Sequence, residues 1–193
     1  MMSSFEYVSV LISIILGLGV TQIVTGFADI VQNWQRVKLY WPHLLWILLV
    51  FFLHIQEWWA VYDLRHFDAW QLPVFLFIIL YPINLFILAR LLYPSFQDNP
   101  AIDFKKFYFD NYRRLFLLVI ILSLLAIADN SFISRLGLEG IVLPLIILSA
   151  LTLVTLNKWE MEWLHKLIVI LLFAAMVISL LSQLNITGLM PIR

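Results

Sequence analysis

The chain has 193 residues, 63% of them hydrophobic and 12% charged, with 12 basic and 12 acidic residues and no cysteine. Soluble domains are about 45–50% apolar and about 25% charged, and a folded chain of this size still leaves roughly 30% of its surface in water. That excludes a water-soluble globule, disulfides, thiolate metal sites and any net charge that would draw the chain to nucleic acid. The fold class expected is all-α: a polytopic transmembrane bundle of about six spans, forming a single integral membrane domain over 1–193.

A helix that crosses a bilayer needs about 20 apolar residues, and six segments qualify. The first, residues 7–31, has no basic stretch ahead of it and no small-residue cleavage site after it, so it reads as a retained helix and not as a signal peptide. Ser9, Ser13, Gly17, Thr21 and Thr25 recur every four residues along it as a small-residue ridge. Such ridges let helix backbones approach closely in lipid. The first helix is therefore expected at the centre of the bundle or at a dimer seam. Gly19 and Gly26 fall on a separate track, and Gln22 adds a polar group near mid-span.

The second span, 41–64, carries the densest polar set: His43, His54, Gln56, Glu57 and Asp63. His54 and Glu57 are three apart and are expected on one face, with His43 about three turns earlier on the same stripe. The third span, 72–92, has Asn84 just after Tyr81 and Pro82; the proline removes a backbone hydrogen bond that a neighbour or water must replace. In the loop over 93–114, Phe104, Phe107, Tyr108, Tyr112 and Leu115 recur at helical spacing opposite Lys105, Lys106, Asp110 and Arg113. Two readings stand for that stretch: a short interfacial helix on the inner leaflet, or a helix docked on the bundle. The fourth span, 115–133, contributes Asp129 and Asn130. The fifth, 141–156, is the shortest and has Pro144 near its start; the sixth covers 163–184.

Lysines and arginines set the orientation. Arg36, Lys38, Arg90, Lys105, Lys106, Arg113, Arg114, Lys158 and Lys166 fall on the odd-numbered loops, against Arg65, Arg135 and Arg193 on the other side. Nine against three places the odd loops in the cytoplasm and both termini outside. Trp34, Trp41, Trp159 and Trp163 then lie at the inner interface and Trp58, Trp59 and Trp70 at the outer one, the depths that amphipathic rings favour.

Ionisable groups inside spans are the strongest functional signal, since an Asp, Lys or Arg at a helix centre costs at least about 2.5–3.5 kcal/mol. Gln22, His54, Glu57, Asn84, Asp129 and Asn130 can reach one region from the midplane outward and form the candidate intramembrane polar site. No catalytic residue and no metal ligand set is assigned: there is no P-loop, HExxH, phosphate cradle or Ser/His/Asp constellation. Bis-histidine haem ligation fits only His43 with His165 and has no supporting motif, so no cofactor is expected. The pattern reads best as a non-catalytic membrane subunit, scaffold or sensor. Its alternative is a small transporter or channel working through the polar site around His54 and Glu57. The partners expected are the lipid bilayer and a second copy or another membrane protein, with no nucleic acid.

Phe5-Glu6, Ser13, Gly17-Leu18-Gly19, Thr21-Gln22, Arg36, Trp41-Pro42-His43, Gln56, Trp58-Trp59-Ala60 and Asp63-Leu64-Arg65 form a pattern over the first 65 residues or so, echoed by Tyr112-Arg113-Arg114-Leu115-Phe116. In these residues the chain resembles a group of bacterial multi-pass membrane proteins of unknown function. The resemblance implies a bacterial inner membrane and assigns no functional residue.

Overall fold

The computed structural model of the chain describes residues 4–66, 70–96, 101–134 and 137–186, so Arg135 and Arg193 lie outside the described residues. The elements are α1 (Ser4–Gln32), β1 (Val37–Lys38), α2 (Trp41–Val61), α3 (Leu72–Ile78), α4 (Leu80–Leu91), β2 (Ile102–Asp103), α5 (Phe104–Asp129), α6 (Glu139–Leu156) and α7 (Glu162–Ile186). The chain is an all-α bundle with one two-residue parallel clasp, β1 on β2. Among the described residues five helices are long and apolar enough to cross a membrane: Phe5–Gln32, Trp41–Arg65, Leu72–Leu91, Phe104–Ile133 and Glu162–Ser182. The sixth, α6, has 18 residues, about 27 Å at 1.5 Å per residue.

Local sequence explains the helix ends and breaks. Proline near the start of α2 and of α3 uses a position where no N–H is needed. Asp103 caps α5, its carboxylate accepting from the Lys105 and Lys106 backbone N–H groups at 2.8 and 3.2 Å. Pro82 breaks one rod into α3 and α4 at Ile79, and α5 gives way to a π-helical turn over Asn130–Ser134.

At two places the packing decides between readings that the sequence left open. Residues 104–115 form neither a separate interfacial helix nor a loop: they are the first turns of α5, and Phe104, Tyr108, Tyr112 and Leu115 are buried. The aromatic stripe packs against His43 of α2 and His165 of α7, so the bundle itself covers it. The helix at the centre is α2, which touches α1, α4, α5 and α7, whereas α1 packs only its Gly19–Gly26 side against α2 and α4. Gly17, Thr21 and Thr25 are exposed and Ser9 and Ser13 partly so. The expected ridge is thus not how α1 joins this bundle.

At the clasp end, Lys38 pairs with Asp103 at 3.3 Å, and Glu162 pairs with Lys105 at 2.6 Å and Lys166 at 2.8 Å. Burial pulls the Asp103 carboxyl upward, but the Lys106 and Lys105 N–H bonds and the Lys38 ammonium outweigh it and hold its pKa below the usual carboxylate range.

Candidate functional site

The polar residues of α2 do not converge; as the central helix, α2 sends each one to a different neighbour. His43 donates from Nε2 to the carbonyl of Leu92, at 2.7 Å, tying α2 to the end of α4. A carbonyl only accepts, so the proton is on Nε2 and Nδ1 is left a buried acceptor without a partner. His54 donates from Nδ1 to its own helix at the Val50 carbonyl, 2.7 Å away. Its ring lies against Gly19 of α1, where an added methyl group would overlap the imidazole. Gln56 reaches Ser179 of α7 at 3.3 Å.

Glu57 faces α4 and α5. It lines a cavity of about 270 Å³ with Val61, Ile78, Tyr81, Ala126, Asp129, Asn130 and Gly140, at the end of the bundle away from the clasp. Glu57, Tyr81 and Asp129 are close enough to interact electrostatically. Asn130 is buried and donates to the Gly137 carbonyl at 3.3 Å.

Two prolines sharpen the chemistry of this cavity. A helical proline leaves the carbonyl four residues back without its N–H donor. For Pro82 that carbonyl belongs to Ile78, and for Pro144 to Gly140, and both residues line the cavity. The π-helical turn starts at Asn130, in the same wall. Three helix irregularities therefore meet where two carboxylates, a phenol and an amide already sit. Oxygen donors of this kind suit hard cations and ammonium groups. The volume is just under the roughly 300–1,000 Å³ of pockets for drug-sized ligands, which favours a partly hydrated ion or a small solute.

Of the sequence-derived set, the structure brings together Glu57, Asp129 and Asn130 and separates the rest. His54 and Gln22 are absent from the cavity lining; His54 turns to α1, and Gln22 accepts from Arg90 at 3.4 Å. Asn84 is buried and donates to the Leu118 carbonyl at 2.9 Å, bridging α4 to α5. Tyr81, Ile78 and Gly140 are not among the site residues expected from the sequence; the signal for Ile78 and Gly140 lies in Pro82 and Pro144, four residues on. The ridge of Ser9, Ser13, Gly17, Thr21 and Thr25 lies elsewhere, along α1.

The second polar cluster, at the clasp end, is saturated by aromatic rings. His165 accepts from the Tyr108 hydroxyl at Nδ1 (3.0 Å) and donates from Nε2 to the Trp159 carbonyl (2.8 Å), with Phe116 stacked on its ring and Phe109 and Tyr112 edge-on to it. Tyr108 also packs edge-on against His43. With both Nε2 atoms engaged and Tyr108 touching both rings, this histidine pair does not fit a haem. Among the described residues no group of three or more His, Asp or Glu side chains is placed to hold a metal ion. No family model matches the chain, and neither a curated protein nor a solved structure does.

Proposed function

We propose that the chain is an integral membrane protein of the bacterial inner membrane that binds a small cation or primary ammonium solute, without catalysis, in the Glu57–Asp129 cavity. The observation that carries this reading is that the two carboxylates share one cavity lining with Ile78 and Gly140, the residues whose carbonyls Pro82 and Pro144 deprive of a helical donor. Broken helices inside a membrane are tolerated where they line a cavity, and freed carbonyls there serve as ion ligands.

Several features support membrane insertion. The outward faces carry large apolar side chains such as Ile14, Leu18, Ile146 and Ile178, 54–67% exposed, a surface that water does not tolerate over such an area. Exposed Trp41 and Trp58 mark two levels on α2, about 25 Å apart by helical rise, near the hydrocarbon thickness. Six crossings with both termini outside follow from the charge asymmetry of the loops, with α6 crossing by its full length. The cavity then opens to the extracytoplasmic side. Beneath it Trp46, Leu85, Leu88 and Phe116 are fully buried, which favours a one-sided binding site, such as a sensor or carrier has, over an open pore.

Calorimetric titration of the full chain in detergent micelles with methylammonium and with sodium chloride tests this. Saturable binding of either cation, abolished by Glu57→Gln and by Asp129→Asn, is the expected result. No heat from either salt, or unchanged binding in both variants, would overturn the proposal.

A second reading, a subunit or homo-oligomer, is favoured by the outward face of Gly17, Thr21 and Thr25, where a Cβ on Gly17 meets open space. Loss of cross-linked species in Gly17→Leu, with cation binding intact, is its signature.

A further inference from the structure

At the clasp end, a groove of about 570 Å³ opens between α4 and α5. Its walls include Ile87 and Leu117, which are 47% and 53% exposed, so the groove faces outward from the bundle. Arg90, in the last turn of α4, and Arg114 of α5 both line it. Among the described residues no acidic side chain lines it, and neither arginine is in an ion pair. Each guanidinium has a neutral acceptor at the limit of hydrogen bonding: Gln22 for Arg90 at 3.4 Å and Asn111 for Arg114 at 3.5 Å. Among the described residues, two positive charges thus line an apolar trough, each with one long hydrogen bond to a neutral acceptor and with further donors of its guanidinium fork to offer.

We infer that this groove is a binding site for one anionic phospholipid. The headgroup phosphate is held between Arg90 and Arg114, and an acyl chain lies along Ile87, Leu117 and Leu118. The inference rests on the membrane reading above. Three features select a lipid as the occupant. The trough runs along α5 from Phe107 to Leu118, about 16 Å by helical rise, longer than a free phosphate needs. Inward from Arg114 and Arg90 the walls are apolar, with Leu117 and Leu118 on α5 and Ile87 and Phe86 on α4, the order of charge and hydrocarbon that a phospholipid presents. Arg114 also bonds back to Asn111, toward the N-terminus of α5, the direction in which a long basic side chain snorkels to an interface.

Native mass spectrometry of the full chain, extracted in mild detergent and titrated with phosphatidylglycerol or phosphatidylcholine, tests the site. One phosphatidylglycerol is expected to be retained in preference to phosphatidylcholine. Arg90→Gln/Arg114→Gln should reduce that preference by about thirtyfold, taking roughly 1 kcal/mol for each basic group at the surface and 1.4 kcal/mol per factor of ten. Lys106→Gln/Arg113→Gln removes the same charge from the exposed outer face of α5 and should leave the preference in place. Equal retention of the two lipids, or equal loss in both double variants, would overturn the inference. So would a shift produced as fully by inorganic phosphate, which would make this a soluble-anion site. Carbonate extraction of membranes separates the two levels: a chain released to the supernatant refutes membrane insertion, and a chain that stays without lipid preference refutes only the groove.

Discussion

Replacing Gly17 and Gly19 by alanine makes the same chemical change two residues apart on one helix, with opposite outcomes expected. Each substitution removes the backbone freedom of glycine, which favours the helix by roughly 0.5–1 kcal/mol. At Gly17 the new methyl group meets nothing within 4 Å, so Gly17→Ala should stabilise by that amount. At Gly19 it overlaps the imidazole of His54, a side chain 1% exposed and anchored by its Nδ1–H to the Val50 carbonyl. Overpacking of this kind costs about 1–3 kcal/mol, and the anchored ring puts the cost toward the upper end. The helix term is common to both variants, so the difference between them isolates the overlap, about 2–3 kcal/mol. Unfolding of the detergent-solubilised protein by dodecyl sulfate, followed by circular dichroism, measures both. His54→Ala in the Gly19→Ala background should recover part of the loss, and the double-mutant cycle should show a coupling well above about 0.5 kcal/mol. Equal stability of Gly17→Ala and Gly19→Ala would refute the close approach of α1 to α2.

Two further outcomes follow from the helix ends and breaks. Pro82→Ala restores the N–H that pairs with the Ile78 carbonyl, so the rod should straighten and become more helical while cation binding weakens by about tenfold, roughly what one lost charge-assisted contact is worth; unaltered binding would remove that carbonyl from the site. Asp103→Ala should lower stability by about 1 kcal/mol through the lost cap, while Asp103→Asn keeps most of it because asparagine caps equally well. The folded-state pKa of Asp103 is lowered, so its contribution is complete above about pH 5 and is lost as the pH falls through that lowered value. A wild-type stability profile that matches Asp103→Asn down to low pH would contradict this.

Much of the architecture was legible without coordinates. Hydrophobic runs of about 20 residues admit few folds, because every backbone N–H and C=O removed from water must be paired within its own segment. That rule fixed the helical class, and Pro82 marked where the third apolar run is interrupted; the cap at Asp103 that starts α5 was not read from the sequence. The π-helical turn and the β1–β2 clasp had no comparable signal, since two strand residues carry no periodicity.

Which side chains meet was settled only by the tertiary structure. His54 and Glu57 are three residues apart, about 60° around the helix axis. On a helix surrounded by four neighbours that angle is enough to send one to Gly19 and the other to Asp129. The small-residue ridge left its cover open for a related reason: periodicity shows that a face is smooth, not what lies against it, and only the structure turned it outward from the bundle. The aromatic stripe of 104–115 was visible as a stripe, yet only the bundle showed its cover to be protein and not lipid. Sequence alone thus determined the helical material and the approximate place of each apolar rod, because those depend on local bonding and on the length of each apolar run; it did not show that α5 begins at Phe104. The rotation of each rod, and hence the cavity, depends on packing between residues far apart in the chain.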